Sequence, residues 1–227
     1  MKKYSSVFFD LDDTLLDTSG DEIRSIKKVF EKFNIPYSDD VEYLYRNKVE
    51  WQTFTLGEYN EKAVFTNKFG QVLDMMQIKE NRKEMLDMYF DAFCNSHKVI
   101  FGARKMLQSL KDSGYRLYIT SNGYTDVQRK KLVDSKLDKF FSGVFVSDDI
   151  DYRKPSKSFF DYVFGRVPES NRGRVLVVGD AQSTDVLGAK NAGFDCCWYN
   201  FSRMAPKYKS KYEITKISEL TDILCEN

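Results

Sequence analysis

The sequence predicts an α/β protein, a doubly wound parallel sheet with a helical segment inserted after its first strand. Three observations predict it. From about residue 101 onward, short apolar runs alternate with stretches of helical periodicity, which is the pattern of βαβ units. One more run of the same kind, Ser5–Leu11, stands apart near the start of the chain. Between them, residues 19–97 hold no convincing strand and carry apolar residues at helical spacing.

Taken in order, Ser5–Leu11 is the first strand. Ile23, Ile26, Phe30 and Phe33 form one helical stripe, and Val64, Phe65, Phe69, Val72 and Leu73 form another, with Pro36 and Gly57 as punctuation. The later strands are Tyr115–Thr120, Val144–Ser147, Arg174–Val178 and Phe194–Tyr199. Helices are expected over Gly102–Asp112, where Met106, Leu107 and Leu110 share a face, and over Tyr124–Asp134, Ser156–Phe164 and Thr184–Ala192. Residues 1–18 and 98–227 then make one domain and 19–97 an inserted helical one. An insertion at that point is expected over the carboxyl edge of the sheet, where ligands of open α/β sheets bind.

The chain's 227 residues exceed one domain of about 150, and at 42% hydrophobic with 15% aromatic residues a packed core needs neither disulfides nor a structural metal. A formal net charge of +1 gives no field that would draw nucleic acid or an anionic membrane. Lys207, Lys209 and Lys211 read as a solvated loop. The longest apolar runs are too short to span a bilayer, and Asp10, Asp12 and Asp13 interrupt the first one too early for a signal peptide. Cys94, Cys196, Cys197 and Cys225 lack zinc spacing. The plain reading is reduced thiols in a cytoplasmic protein, with Cys196 and Cys197 on opposite faces of a strand.

The chemistry falls at strand ends. In VFFDLDDT, residues 7–14, a buried run ends in carboxylates, a costly arrangement unless they are paired or on a metal. A calcium loop would need glycine at Leu15 and glutamate at Asp21. RLYITSNG, residues 116–123, ends in a hydroxyl and an amide, and such a junction can hold a phosphate with backbone N–H groups. Lys154-Pro155 follows the next strand; a lone lysine there is usually a surface residue. VLVVGDAQSTD, residues 175–185, supplies Asp180 and Asp185. Each signal has an ordinary explanation, but together they place two carboxylate pairs, a hydroxyl and a lysine on one sheet edge. Asp10 and Asp180 suit Mg2+, a lysine beside a metal neutralises a phosphoryl group, one carboxylate can attack phosphorus, and Asp12 can protonate the leaving oxygen and then activate water.

With these motifs in that order, the chain resembles the haloacid dehalogenase superfamily of phosphohydrolases. DLDDT at 10–14, Ser121, Lys154-Pro155 and GDAQSTD at 179–185 match its four motifs. WQTFTLGEYNEKAVFTNKF, GYTDVQRKKL and the stretch from VVGDAQSTDVLGAKNAG into CWYN resemble the YjjG-type pyrimidine nucleotide 5'-nucleotidases. The resemblance implies a Rossmann-like core and an all-helical cap. It implies Asp10 as nucleophile and Mg2+ ligand, Asp12 as general acid and base with its carbonyl a second ligand, and Asp180 as a third. Phosphate contacts would come from Asp10, Leu11, Asp12, Ser121, Asn122 and Lys154, with Asp185 behind them holding Lys154 or a water on the metal.

The chain departs from the family in three places. Ser121 stands for the commoner Thr, Ala181 for Ser or Thr, and Asp151-Tyr152-Arg153 for a glycine-containing loop. A true dehalogenase attacks carbon and lacks an acid at the position of Asp12; phosphomutases carry glycine at Asp13; a sugar-phosphate phosphatase shares the core chemistry. No G-x-S-x-G, Walker A or G-x-G-x-x-G sequence is present. His97 reads as a helix-surface or satisfied residue, and Trp51, Phe54 and Tyr59 as packing or as platforms for a base. The expected substrate is a small phosphomonoester, a (deoxy)pyrimidine nucleoside monophosphate, turned over with Mg2+ by a monomer or homodimer.

Overall fold

The computed structural model describes residues 2–47 and 61–225. Trp51, Phe54, Gly57 and Tyr59 lie outside the described residues, as do the side chains of Val64 and Phe65. The chain divides into two compact units, Met1–Asp17 with Lys98–Asn227, and Thr18–His97.

The first unit is built on a parallel sheet that runs, among the described residues, in the order β3-β2-β1-β4-β5-β6. Its strands are β1 (Ser6–Phe9), β2 (Arg116–Ser121), β3 (Gly143–Val146), β4 (Val175–Gly179), β5 (Asp195–Tyr199) and β6 (Tyr212–Ile214). The first five fall on the expected runs within a residue or two. Strand β6 was not expected, because three residues among lysines carry no readable apolar period; it pairs with β5 through Cys197, Trp198 and Tyr199.

Both faces of the sheet are covered, as an all-parallel sheet requires. Alternation along each strand divides the core. Val7, Phe9, Leu117, Ile119, Leu176, Val178, Cys197 and Tyr199 share one apolar cluster with Met106, Leu107 and Leu110 of α5 (Ala103–Asp112) and with Leu220 and Leu224 of α9 (Leu220–Cys225). Phe8, Tyr118, Val175, Val177, Cys196 and Trp198 share the other with Phe159, Phe160 and Val163 of α7 (Lys157–Phe164) and with Ala189 and Ala192 of α8 (Leu187–Ala192). Cys196 and Cys197 thus face opposite ways, as their adjacency on a strand dictates. Helix α6 (Thr125–Asp134) follows β2. The expected helix over Thr184–Ala192 begins instead as a π-helical turn, Gln182–Val186, before α8.

The second unit consists, among the described residues, of α1 (Thr18–Lys32), α2 (Asp39–Asn47), α3 (Glu61–Met75) and α4 (Arg82–Cys94). Ile23, Ile26 and Phe30 of the first expected stripe and Phe69, Val72 and Leu73 of the second are buried together with Tyr45, Met85 and Tyr89. His97 is not on a helix surface; it is half-buried in the segment after α4. No described helix is long and apolar enough to cross a membrane.

Candidate active site

The strand order turns about β1, which lies between β2 and β4, and such a turning point is where an open α/β sheet offers a crevice at its carboxyl edge. Asp10 is the first residue beyond β1. Its N–H still donates to the Val178 carbonyl at 2.9 Å, so the carboxylate is fixed relative to β4. The chain then turns tightly, with Leu15 and Leu16 N–H both donating to the Leu11 carbonyl at 3.0 Å and Asp13 at φ 56°, a conformation asparagine and aspartate tolerate better than most residues.

Lys154 comes from the loop after β3 and is 3% exposed. Its ammonium donates to Asp10 Oδ1 at 2.6 Å and to Asp185 Oδ1 at 2.7 Å. Burial alone would lower its pKa, but the two carboxylates more than offset that and hold it above the ordinary lysine value. The loop carrying it lacks the family's glycine, yet its position is held: Asn122 Oδ1 accepts from Lys154 N–H at 2.8 Å and Asn122 Nδ2 donates to the Lys154 carbonyl at 2.9 Å.

Asp180 follows β4, and its place is set by Thr14. That hydroxyl donates to Asp180 Oδ1 at 3.0 Å and accepts from Asp180 N–H at 3.1 Å, while Trp198 Nε1 donates to the Asp180 carbonyl at 2.7 Å. Asp185 reaches back beneath the strand end, with Oδ2 accepting from Ala181 N–H at 3.1 Å. Gly179 makes this possible, since a Cβ there would lie 2.3 Å from Asp185 Cγ and Oδ2.

Asp10, Asp180 and Asp185 bring carboxylate oxygens within 4.8 Å of one another. Burial pushes the Asp10 pKa up to about 7, with Lys154 opposing and Asp185 and Asp12 adding to the rise. Burial, Asp10, Asp185 and Asp13 likewise raise Asp180 well above the carboxylate range. One lysine cannot neutralise three clustered carboxylates, Asp10 and Asp185 buried and Asp180 half-buried. The surplus of negative charge on hard oxygen donors fits a divalent cation.

A protein-family model, haloacid dehalogenase-like hydrolase, matches residues 7–199. The chain belongs to that family. It is 34% identical over 228 residues to YfnB of Bacillus subtilis, a protein named for the HAD hydrolases, covering 99% of this chain and 97% of that one. The crystal structure of YfnB bound to magnesium superposes with a TM-score of 0.83, covering 98% of this chain and 99% of that chain. The pyrimidine 5'-nucleotidase PynA of Streptococcus pneumoniae is 26% identical over 230 residues, covering 99% of this chain and 96% of that one. A glyceraldehyde 3-phosphate phosphatase of Pyrococcus furiosus is 29% identical over 238 residues, covering 99% and 94%.

Within this HAD-like hydrolase, every residue expected at the site lies at the carboxyl end of β1, β2 or β4 or in the loop after β3. Ser121 is 1% exposed, and its Oγ accepts from Gly123 N–H at 3.2 Å and from Gln128 Nε2 at 2.7 Å. With both lone pairs used, its proton is the group left to donate. The Asn122 amide is engaged with the Lys154 main chain through Oδ1 and one N–H, and the Leu11 side chain is fully buried in the core, so Leu11 could meet a phosphate only through its backbone N–H. Three residues were missed. Thr14 sits inside the first motif but reads as a turn residue. Gln128 and Lys131 look like solvent-facing positions of a polar helix, yet they are 1% and 3% exposed, with Gln128 Nε2 2.5 Å from Asp12 Oδ2 and Lys131 Nζ 2.7 Å from Asp12 Oδ1.

Proposed function

We propose that this hydrolase cleaves phosphomonoesters through an aspartyl-phosphate on Asp10. The observation that carries the reading is Lys154, a buried ammonium within 2.6 Å of the attacking carboxylate, where it can neutralise phosphoryl oxygens as they approach. The Ser121 hydroxyl and the backbone N–H groups of Leu11 and Asn122 bind the remaining oxygens. Asp10 attacks phosphorus while Asp12 gives its proton to the departing alkoxide oxygen. Asp12, now ionised, then takes a proton from water, whose oxygen attacks phosphorus, releases inorganic phosphate and restores the Asp10 carboxylate. Asp10, Asp180 and the Asp12 carbonyl would hold Mg2+, with Asp185 behind them, and the bound ion would supply neutralisation of phosphoryl charge. An acid at position 12 favours phosphorus over the carbon chemistry of dehalogenases.

The substrates we infer are nucleoside 5'-monophosphates, pyrimidine deoxynucleotides first, acted on in the cytoplasm. The activity for which PynA is named supports this, as do the nucleotidase-like segments of the sequence. The activity for which the Pyrococcus furiosus relative is named supports a second reading, a small sugar phosphate. Phosphate release with Mg2+ from a panel of esters separates them. We expect kcat/KM for dUMP and dTMP to exceed that for glyceraldehyde 3-phosphate and glucose 6-phosphate by about tenfold or more. The reverse order hands the site to sugar phosphates, and no release from any ester ends the phosphatase reading.

A further inference from the structure

Gln128 offers two N–H groups from one nitrogen, and they go to two different parts of the site: Asp12 Oδ2 at 2.5 Å and Ser121 Oγ at 2.7 Å. An ionised carboxylate only accepts hydrogen bonds, so toward the ionised form of Asp12 the side of the amide facing it is the NH2. The consequence is that Gln128 Oε1 is buried with no hydrogen-bond partner among the described residues. A buried acceptor left unpaired costs stability, and packing gives no reason to accept that cost. Alignment of Asp12 and Ser121 does give one.

Two further observations agree. Lys131, one helical turn on and therefore on the same face of α6, takes the other oxygen of Asp12 at 2.7 Å with its own side chain 4% exposed. Gly123 is the residue that lets Gln128 in, since a Cβ there would lie 2.4 Å from Gln128 Nε2 and 2.6 Å from its Cδ. A glycine after Ser121-Asn122 is thus explained by the glutamine five residues later.

We propose that Gln128 is a positioning residue for the hydrolysis, its amide fixing the orientation of Asp12 and Ser121 together while Lys131 holds the second Asp12 oxygen. The proposal rests on the phosphatase reading above. Asp12 donates its proton to the leaving oxygen, so a misaligned Asp12 hurts most where that oxygen needs the proton. Ester bonds to an alkyl oxygen need it; ester bonds to a nitrated phenol, whose anion leaves unaided, do not.

The test compares kcat/KM for an alkyl phosphate and for dinitrophenyl phosphate, with Mg2+, in the unaltered protein and in variants. Gln128→Met keeps the volume and removes both donors. It should lower kcat/KM on the alkyl ester by about 10²-fold and on the dinitrophenyl ester by less than about tenfold. Gly123→Ala, which pushes Gln128 away without touching Asp12, should show the same bias, and the double variant should lose no more than Gln128→Met alone. Equal losses on both esters, activity within about twofold of the unaltered protein, or fully additive losses would each overturn the proposal. Should Gln128→Met not fold, the bias of Gly123→Ala decides. Failure of the unaltered protein on both esters is a different result and removes the phosphatase reading itself.

Discussion

Lys154 is held between two carboxylates, donating to Asp10 Oδ1 and Asp185 Oδ1 from one ammonium. Lys154→Met is therefore expected to act twice. It removes a preorganised donor, worth about 10²–10³ in kcat, and it leaves Asp10 and Asp185 facing each other uncompensated, a loss of about 3–5 kcal/mol for a broken buried pair. Parallel measurement of turnover and of urea unfolding checks both, and a variant with normal stability and normal kcat would refute the arrangement. The two first-motif aspartates separate by trapping. Asp10→Asn should form no covalent phosphate, whereas Asp12→Asn should accumulate label on Asp10 from a good leaving group and release it slowly; label on any other residue reverses the roles. Asp10, Asp180 and Lys154 were legible only as a set, because each has an ordinary explanation alone and their succession at the ends of one sheet's strands does not. Gln128 and Lys131 were not, because in TDVQRKKL nothing distinguishes them from the exposed Arg129 and Lys130 until the position of Asp12 is known.

At the scale of elements, the five longer strands were legible from largely apolar runs of four to seven residues, since strands covered on both faces are largely apolar. What escaped is whatever depends on pairing or on hydrogen-bond register. Strand β6 exists because β5 offers it an edge, and the π-helical turn at Gln182–Val186 opens the crossover from β4 to β5 where Asp185 turns inward. That turn and Gly179 form one device, so Gly179→Ala should fail through Asp185. The added methyl falls 2.3 Å from the carboxylate and must push it off Lys154. A loss of about 1–3 kcal/mol is expected on overpacking grounds, with kcat reduced in the same variant. Asp185→Asn, which keeps the shape and halves the charge at Lys154, should lower kcat with a smaller stability loss. If Gly179→Ala is as stable and active as the parent, close approach is not what the glycine serves.

For the molecule as a whole, the site's surplus negative charge ties folding to pH and to the cation. In the metal-free protein Asp10 titrates near 7, against 3.8 for an ordinary aspartate, and Asp180 is raised as well. Between those values the native state holds protons that the unfolded chain has already lost. Stability from these groups is therefore greatest at low pH and falls as pH rises through about 4 to 7. Mg2+ held by the ionised carboxylates would compete with those protons, so its stabilising effect is expected to grow over the same interval. The melting temperature should rise more on adding Mg2+ at about pH 8 than at about pH 5.5, and EDTA should return both to the metal-free curve. Asp180→Asn removes one ligand and one unfavourable charge at once. It should raise the metal-free melting temperature at the higher pH while shrinking the Mg2+ increment. A Mg2+ increment independent of pH, or one that Asp180→Asn leaves intact, would place the cation somewhere other than among Asp10, Asp180 and Asp185.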